Sequence, residues 1–121
     1  MATEARETAG LIGSDKVEGT TVYDARGEKM GSIERVMIEK RSGQVAYAVL
    51  SFGGFLGIGT DYYPIPWASL NYDTSLGGYR TNITEQQLQR APKYTGNNWD
   101  WEDRERGRKV YEYYGTPWSA Y

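Results

Sequence analysis

The sequence predicts a mainly β domain: a small antiparallel β-barrel with short helices and an amphipathic C-terminal helix. Three observations lead there. The chain carries 15 Gly and 11 Tyr in 121 residues with few leucines, a balance that suits turn-rich β structure better than a helical bundle. Strand-like segments recur between turn signals. The stretch from Gly43 to Trp67, GQVAYAVLSFGGFLGIGTDYYPIPW, reads as a buried strand, a glycine-rich turn and a second strand.

The elements follow in order. Residues 1–10 form a small, charged N-terminal arm. Leu11 to Ser14 is an apolar lead-in expected to pack on the barrel. VEGTTVY, Val17 to Tyr23, suits a strand. Asp24 to Gly27 is a turn, opened by Asp and closed by a glycine that tolerates positive φ. Lys29 to Lys40 alternates with period two, but neither face is apolar throughout. A bulge near Gly31 or Arg35 is expected to bring Ile33, Val36 and Ile38 to one core.

After the turn at Arg41 to Gly43, Gln44 to Phe52 is the clearest strand. Its centre is apolar on both faces, the mark of a strand covered on both sides. Gly53, Gly54, Gly57 and Gly59 shape a loop tipped by Phe55, Leu56 and Ile58. Asp61 to Ile65 is a strand in which Pro64 requires an edge or a strand end, because proline donates no ladder hydrogen bond. Pro66 to Leu70 resembles one helical turn. Asn71 to Ser75 and Tyr79 to Asn82 are short strands joined through Gly77 and Gly78. Thr84 to Gln87 fits a capping box and opens a short helix that ends before Pro92.

The barrel domain thus spans residues 11–92, and residues 93–121 form an aromatic extension. Asn98 or Asp100 can cap a helix over about 99–114. Asp100/Arg104, Glu102/Arg106 and Glu105/Lys109 are spaced for i,i+4 pairing. Gly107, Val110, Tyr111 and Tyr114 share its apolar stripe. Gly115 and Pro117 stop it.

Composition excludes several functions. There is no cysteine and no histidine, which removes disulfides, thiol nucleophiles, zinc thiolate sites and the commonest general base near neutral pH. The net charge is -2, where a nucleic-acid binder usually shows a basic footprint. No apolar run is long enough to span a membrane. The opening MATEARETAG lacks the apolar core of a signal peptide, so a cytoplasmic location is expected.

Few motifs point to chemistry. GGFLGIG, Gly53 to Gly59, matches neither phosphate-loop spacing and precedes a strand where a phosphate site needs a helix. It reads as a turn whose Phe55, Leu56 and Ile58 either cap the barrel or meet a partner. Asp15, Asp24, Glu28, Glu34, Glu39 and Asp61 have no metal-loop spacing and suit solvated turns and faces. Tyr62, Tyr63, Trp67, Tyr72 and Tyr79, with Arg35, Arg41 and Arg80 nearby, are either core fillers or a stacking platform. No cofactor or metal site is expected.

Leu11 to Leu70 resembles the PRC-barrel family, named for the photosynthetic reaction centre. The likeness lies in a strand and turn before Gly-x-x-x-Gly (Gly27 to Gly31), then Gly43 and the strand Ala46 to Leu50. The glycine-rich loop Gly53 to Gly59 and the ending Pro-Ile-Pro-Trp, Pro64 to Trp67, complete it. The resemblance implies a strongly bent β-barrel that serves as an interaction module rather than a catalyst. The family includes the cytoplasmic domain of the heavy subunit of the photosynthetic reaction centre and the C-terminal domain of ribosome maturation factors. This chain lacks the membrane helix of the first and the N-terminal domain of the second. Its tail is similar to an extension seen in stand-alone bacterial members.

Together these readings give a non-enzymatic, cytoplasmic protein-interaction module that acts as a homodimer. The expected partner-binding residues are Phe55, Leu56, Ile58, Tyr62, Tyr63 and Trp67. The expected dimer or docking residues are Trp101, Val110, Tyr111, Tyr114 and Trp118. The alternative is an RNA- or small-ligand-binding adaptor that uses the aromatic strand ends.

Overall fold

A computed structural model describes residues 10–52, 61–95 and 104–116. Seven strands form one sheet: β1 (Thr21–Tyr23), β2 (Lys29–Ile38), β3 (Val45–Phe52), β4 (Asp61–Pro66), β5 (Asn71–Asp73), β6 (Gly78–Arg80) and the two-residue β7 (Tyr94–Thr95). The helices are α1 (Ser14–Val17), α2 (Glu85–Arg90) and α3 (Arg104–Tyr113), with a 3-10 turn at Trp67–Ser69.

The strand order is β5-β6-β1-β2-β3-β4-β7. The sheet is mixed, not wholly antiparallel as the sequence suggested. The β5–β6 hairpin returns beside β1 with β6 parallel to it, Val22 facing Tyr79 and Tyr23 facing Arg80. Among the described residues no ladder joins β5 to β7, so the sheet is open where a closed barrel was expected.

Three bulges bend it. The β1–β2 register slips at Met30. The β2–β3 register slips at Glu34, between the Ile33–Leu50 and Arg35–Val49 pairs. It slips back at Ala46, between the Met37–Tyr47 and Ile38–Val45 pairs. An extra residue on one strand kinks and twists a ladder locally. The expected bulge near Arg35 is therefore present, and it buries Ile33 and leaves Val36 packed against the core. The second slip falls just before Ile38, which is 52% exposed and not a core residue. Leu11 is likewise exposed rather than packed, and Ile12 alone carries that lead-in onto the core.

Two glycines permit the tight bend. A Cβ on Gly31 would lie 2.3 Å from the Ser51 carbonyl oxygen of β3, and one on Gly78 would lie 2.5 Å from the Thr21 carbonyl oxygen of β1. Only a residue without Cβ lets these backbones approach so closely.

The core lies on one face of the sheet, where Val22, Ile33, Ala48, Leu50, Tyr63, Ile65, Tyr79, Ile83 and Leu88 cluster. Side chains alternate along a strand, so Tyr47 and Val49 face away from Ala48 and Leu50. They are buried too, which makes β3 the doubly covered strand the sequence indicated. Pro64 lies in β4 opposite Val49. The other side of β4 pairs with β7 only at Asp61 and Tyr62. Among the described residues Pro64 therefore has a strand neighbour on its β3 side alone, the edge position that proline requires. Thr84 and Gln87 form the reciprocal capping box of α2: the Gln87 amide N–H donates to the Thr84 hydroxyl, and the Thr84 N–H donates to the Gln87 side chain.

Candidate functional site

Acidic side chains are engaged at the turns. The Asp24 carboxylate accepts the backbone N–H groups of Glu28 at 2.9 Å and Arg26 at 2.8 Å. Glu39 accepts those of Arg41 at 3.0 Å and Ser42 at 2.9 Å. Asp73 accepts the Ser75 hydroxyl at 2.5 Å and the Ser75 N–H at 2.9 Å, with Arg80 at 3.5 Å. These bonds favour the ionised form and hold all three carboxyls below their ordinary range. Asp61 pairs with Lys93 at 3.0 Å, across the β4–β7 end of the sheet. A general acid at neutral pH needs its carboxyl pushed upward; the turns push theirs the other way.

The aromatic strand ends turn onto one another. Tyr79, buried in the core, takes Trp67 edge-on at 5.4 Å between ring centroids and Tyr72 edge-on at 5.1 Å. Tyr63 is buried with Phe52 edge-on at 5.9 Å. Edge-to-face packing of this kind is core cohesion, and it places Tyr63 and Tyr79 away from any external base or ring. Tyr62 and Trp67 remain half-buried on β4 and just after it. Phe55, Leu56 and Ile58 lie outside the described residues.

The most developed surface is the seat of α3. This helix packs against β4, and its buried stripe is the one the sequence marked. Gly107 and Val110 are buried, and Tyr114 packs against the core cluster. Tyr111 lays its ring edge-on against Tyr47 at 5.5 Å and donates its hydroxyl to the Ala46 carbonyl at 2.7 Å. Ala46 is the bulge residue opposite β2, and the β3–β4 ladder starts only at Tyr47. The tail helix thus hydrogen-bonds to the sheet at the bulge itself. Tyr113 donates its hydroxyl to the Gln87 carbonyl of α2 at 2.5 Å.

The Tyr114 hydroxyl is buried, and among the described residues it has no hydrogen-bond partner. Burial, with the neighbouring Tyr113 and Tyr63 phenols, holds it well above the ordinary tyrosine range. On the outer face Arg108 bridges Glu105 at 2.5 Å and Glu112 at 3.0 Å. Glu105 therefore pairs at i,i+3 with Arg108 instead of at i,i+4 with Lys109, since Arg108 lies between two acids. Asp100, Glu102, Trp101 and Trp118 fall outside the described residues, as do Asn98 and Pro117. Gly115 takes φ 68° directly after the helix, the left-handed stop expected there.

Sequence reasoning missed Ala46, Gln87 and Tyr113. The first two act through backbone carbonyls, which no side-chain pattern reports. Tyr113 sits beside the stripe rather than on it, and only the position of α2 brings Gln87 within its reach.

A bent mixed sheet with short helices and a helix seated on a bulge defines a small β module, with no catalytic constellation assembled among the described residues. The chain belongs to the PRC-barrel domain family, whose model matches residues 10–88. That span holds β1 to β6 and most of α2. β7 and α3 lie beyond it. No curated protein matches the chain. Among the described residues no helix is long and apolar enough to cross a membrane.

Proposed function

We propose that this chain is a non-enzymatic protein-interaction module that works as a homodimer in the cytoplasm. One observation carries the reading: a helix is seated on the sheet. α3 lies outside the family-matched span. It nevertheless packs on β4 with Gly107 and Val110 buried, Tyr111 bonded to Ala46 and Tyr114 on the core cluster, the i, i+3, i+4, i+7 spacing of helix-in-groove recognition. The commitment of Asp24, Glu39 and Asp73 to turns supports the non-enzymatic part.

Light scattering of the full chain from micromolar to near-millimolar concentration tests it. The expected result is twice the 13.7 kDa chain mass at the upper end. A single-chain mass at every concentration would remove the homodimer.

A further inference from the structure

We infer that α3 is an exchangeable clasp: the seat it occupies on its own sheet also accepts α3 of a second copy. The inference rests on the homodimer reading and names the residues that would join the two chains. The occupant is defined by the seat itself, since the sequence that fits it is already seen seated.

The seat's polar anchor is a backbone acceptor at the bulge, the Ala46 carbonyl, which accepts the Tyr111 hydroxyl at 2.7 Å. Its apolar part takes Tyr114 onto the core cluster and offers the Tyr47 ring to Tyr111, while Val110 between them is 1% exposed. Nothing in these contacts depends on which chain supplies the helix. The carbonyl, the ring and the core cluster read only the helix's Tyr111 and Tyr114.

Two features make release feasible. The helix keeps its own ion pairs, Arg108 with Glu105 and Glu112, on the outer face, so they survive undocking. Docking also strands the Tyr114 hydroxyl in a buried place without a partner among the described residues. That penalty subtracts from the gain of the apolar contacts. A clasp held by a few anchors and weakened by one buried orphan belongs to the low-stability end of a structure, where local opening is drawn from. A helix in equilibrium between seated and free states meets the seat of a neighbour at high concentration by mass action.

The test uses a fluorescein-labelled peptide of residues 104–116 titrated into full-length chains and followed by anisotropy. Val110→Asp in the full chain empties the seat of its own helix. That chain is expected to bind the wild-type peptide at least tenfold more tightly than the wild-type chain does, and a Val110→Asp peptide is expected to bind neither. Equal or absent binding by a Val110→Asp chain with an unchanged circular dichroism spectrum would overturn the inference. If Val110→Asp does not fold, Tyr111→Phe in the full chain loosens only the Ala46 anchor. A severalfold tightening of peptide binding then supports the clasp, and an unchanged midpoint overturns it. Light scattering of the wild-type chain separates the two readings. A dimer whose seat never takes the peptide sinks the clasp alone, whereas a monomer at all concentrations removes the second copy and sinks both.

Discussion

Removing one oxygen atom from each of two tyrosines three residues apart should move stability in opposite directions. In Tyr111→Phe the lost hydroxyl is the donor to the Ala46 carbonyl at 2.7 Å. A net hydrogen bond of this kind contributes about 0.5–1.5 kcal/mol. The site is only partly buried, so water can reach the released carbonyl, and a loss of about 1 kcal/mol is expected. In Tyr114→Phe the lost hydroxyl is buried and unpartnered among the described residues. Burying a hydroxyl without a hydrogen bond costs roughly 1–3 kcal/mol by mutational measure. The ring stays, so its packing on the core stays with it. Tyr114→Phe is therefore expected to stabilise by about 1 kcal/mol. Urea unfolding of wild type and both variants at neutral pH, followed by tryptophan fluorescence, reads both changes as midpoint shifts at constant slope. Shifts of the same sign, or a Tyr114→Phe chain less stable than wild type, would refute the account of how α3 is seated.

Other outcomes follow from the same geometry. Gly31→Ala drives a Cβ to within 2.3 Å of the Ser51 carbonyl and 3.3 Å of Leu50. Overpacking of this kind costs about 1–3 kcal/mol, so a urea midpoint at the wild-type value would show that β2 and β3 are less close than described. The carboxyls of Asp24, Glu39 and Asp73 are depressed in the folded chain, chiefly by the hydrogen bonds from Glu28, Arg41 and Ser75 respectively. Their stabilisation is complete above their unfolded values near pH 4 and is lost as pH falls further. A midpoint that declines below pH 5, and declines less in Asp24→Asn, is expected; an acid limb unchanged by that variant would contradict it. The Tyr114 phenol is raised, first by burial. Its contribution is complete below the ordinary tyrosine value near 10 and is lost as pH climbs above it. Tyr114→Phe should flatten the alkaline limb of the stability profile, and an identical limb would count against burial of that hydroxyl.

What could be read from the sequence was what local chemistry decides. The Asp24 turn closes on Gly27, at φ 84°, because Asp and Gly carry that preference wherever they stand. The Thr84–Gln87 capping box and the Gly115 stop are equally local. The strand Val45–Phe52 was legible because a double-sided apolar run has few other homes. The helix stripe through Val110, Tyr111 and Tyr114 was legible from its spacing: Val110 is buried, Tyr111 bonds to β3 and Tyr114 packs on the core.

Sheet-level geometry was not legible. Whether β6 runs parallel to β1 depends on where a hairpin returns. The exposure of Ile38 depends on a register slip that its own composition does not encode. Tyr63 read equally as a core filler or a partner-binding aromatic because a strand end offers no hint of which neighbours close over it; it is buried against Phe52. The Ala46 carbonyl gave no signal at all, since an alanine in an apolar strand reads as core and its backbone acceptor leaves no mark in the side-chain pattern.

The central claim is that the α3 stripe carries association, and paired light scattering tests it most directly. Wild-type and Val110→Asp chains are compared at equal high concentration, with circular dichroism confirming the same sheet content in both. The account predicts a mass of two chains for wild type and of one chain for Val110→Asp. Two folded chains of identical mass, whether both dimeric or both monomeric, would contradict it.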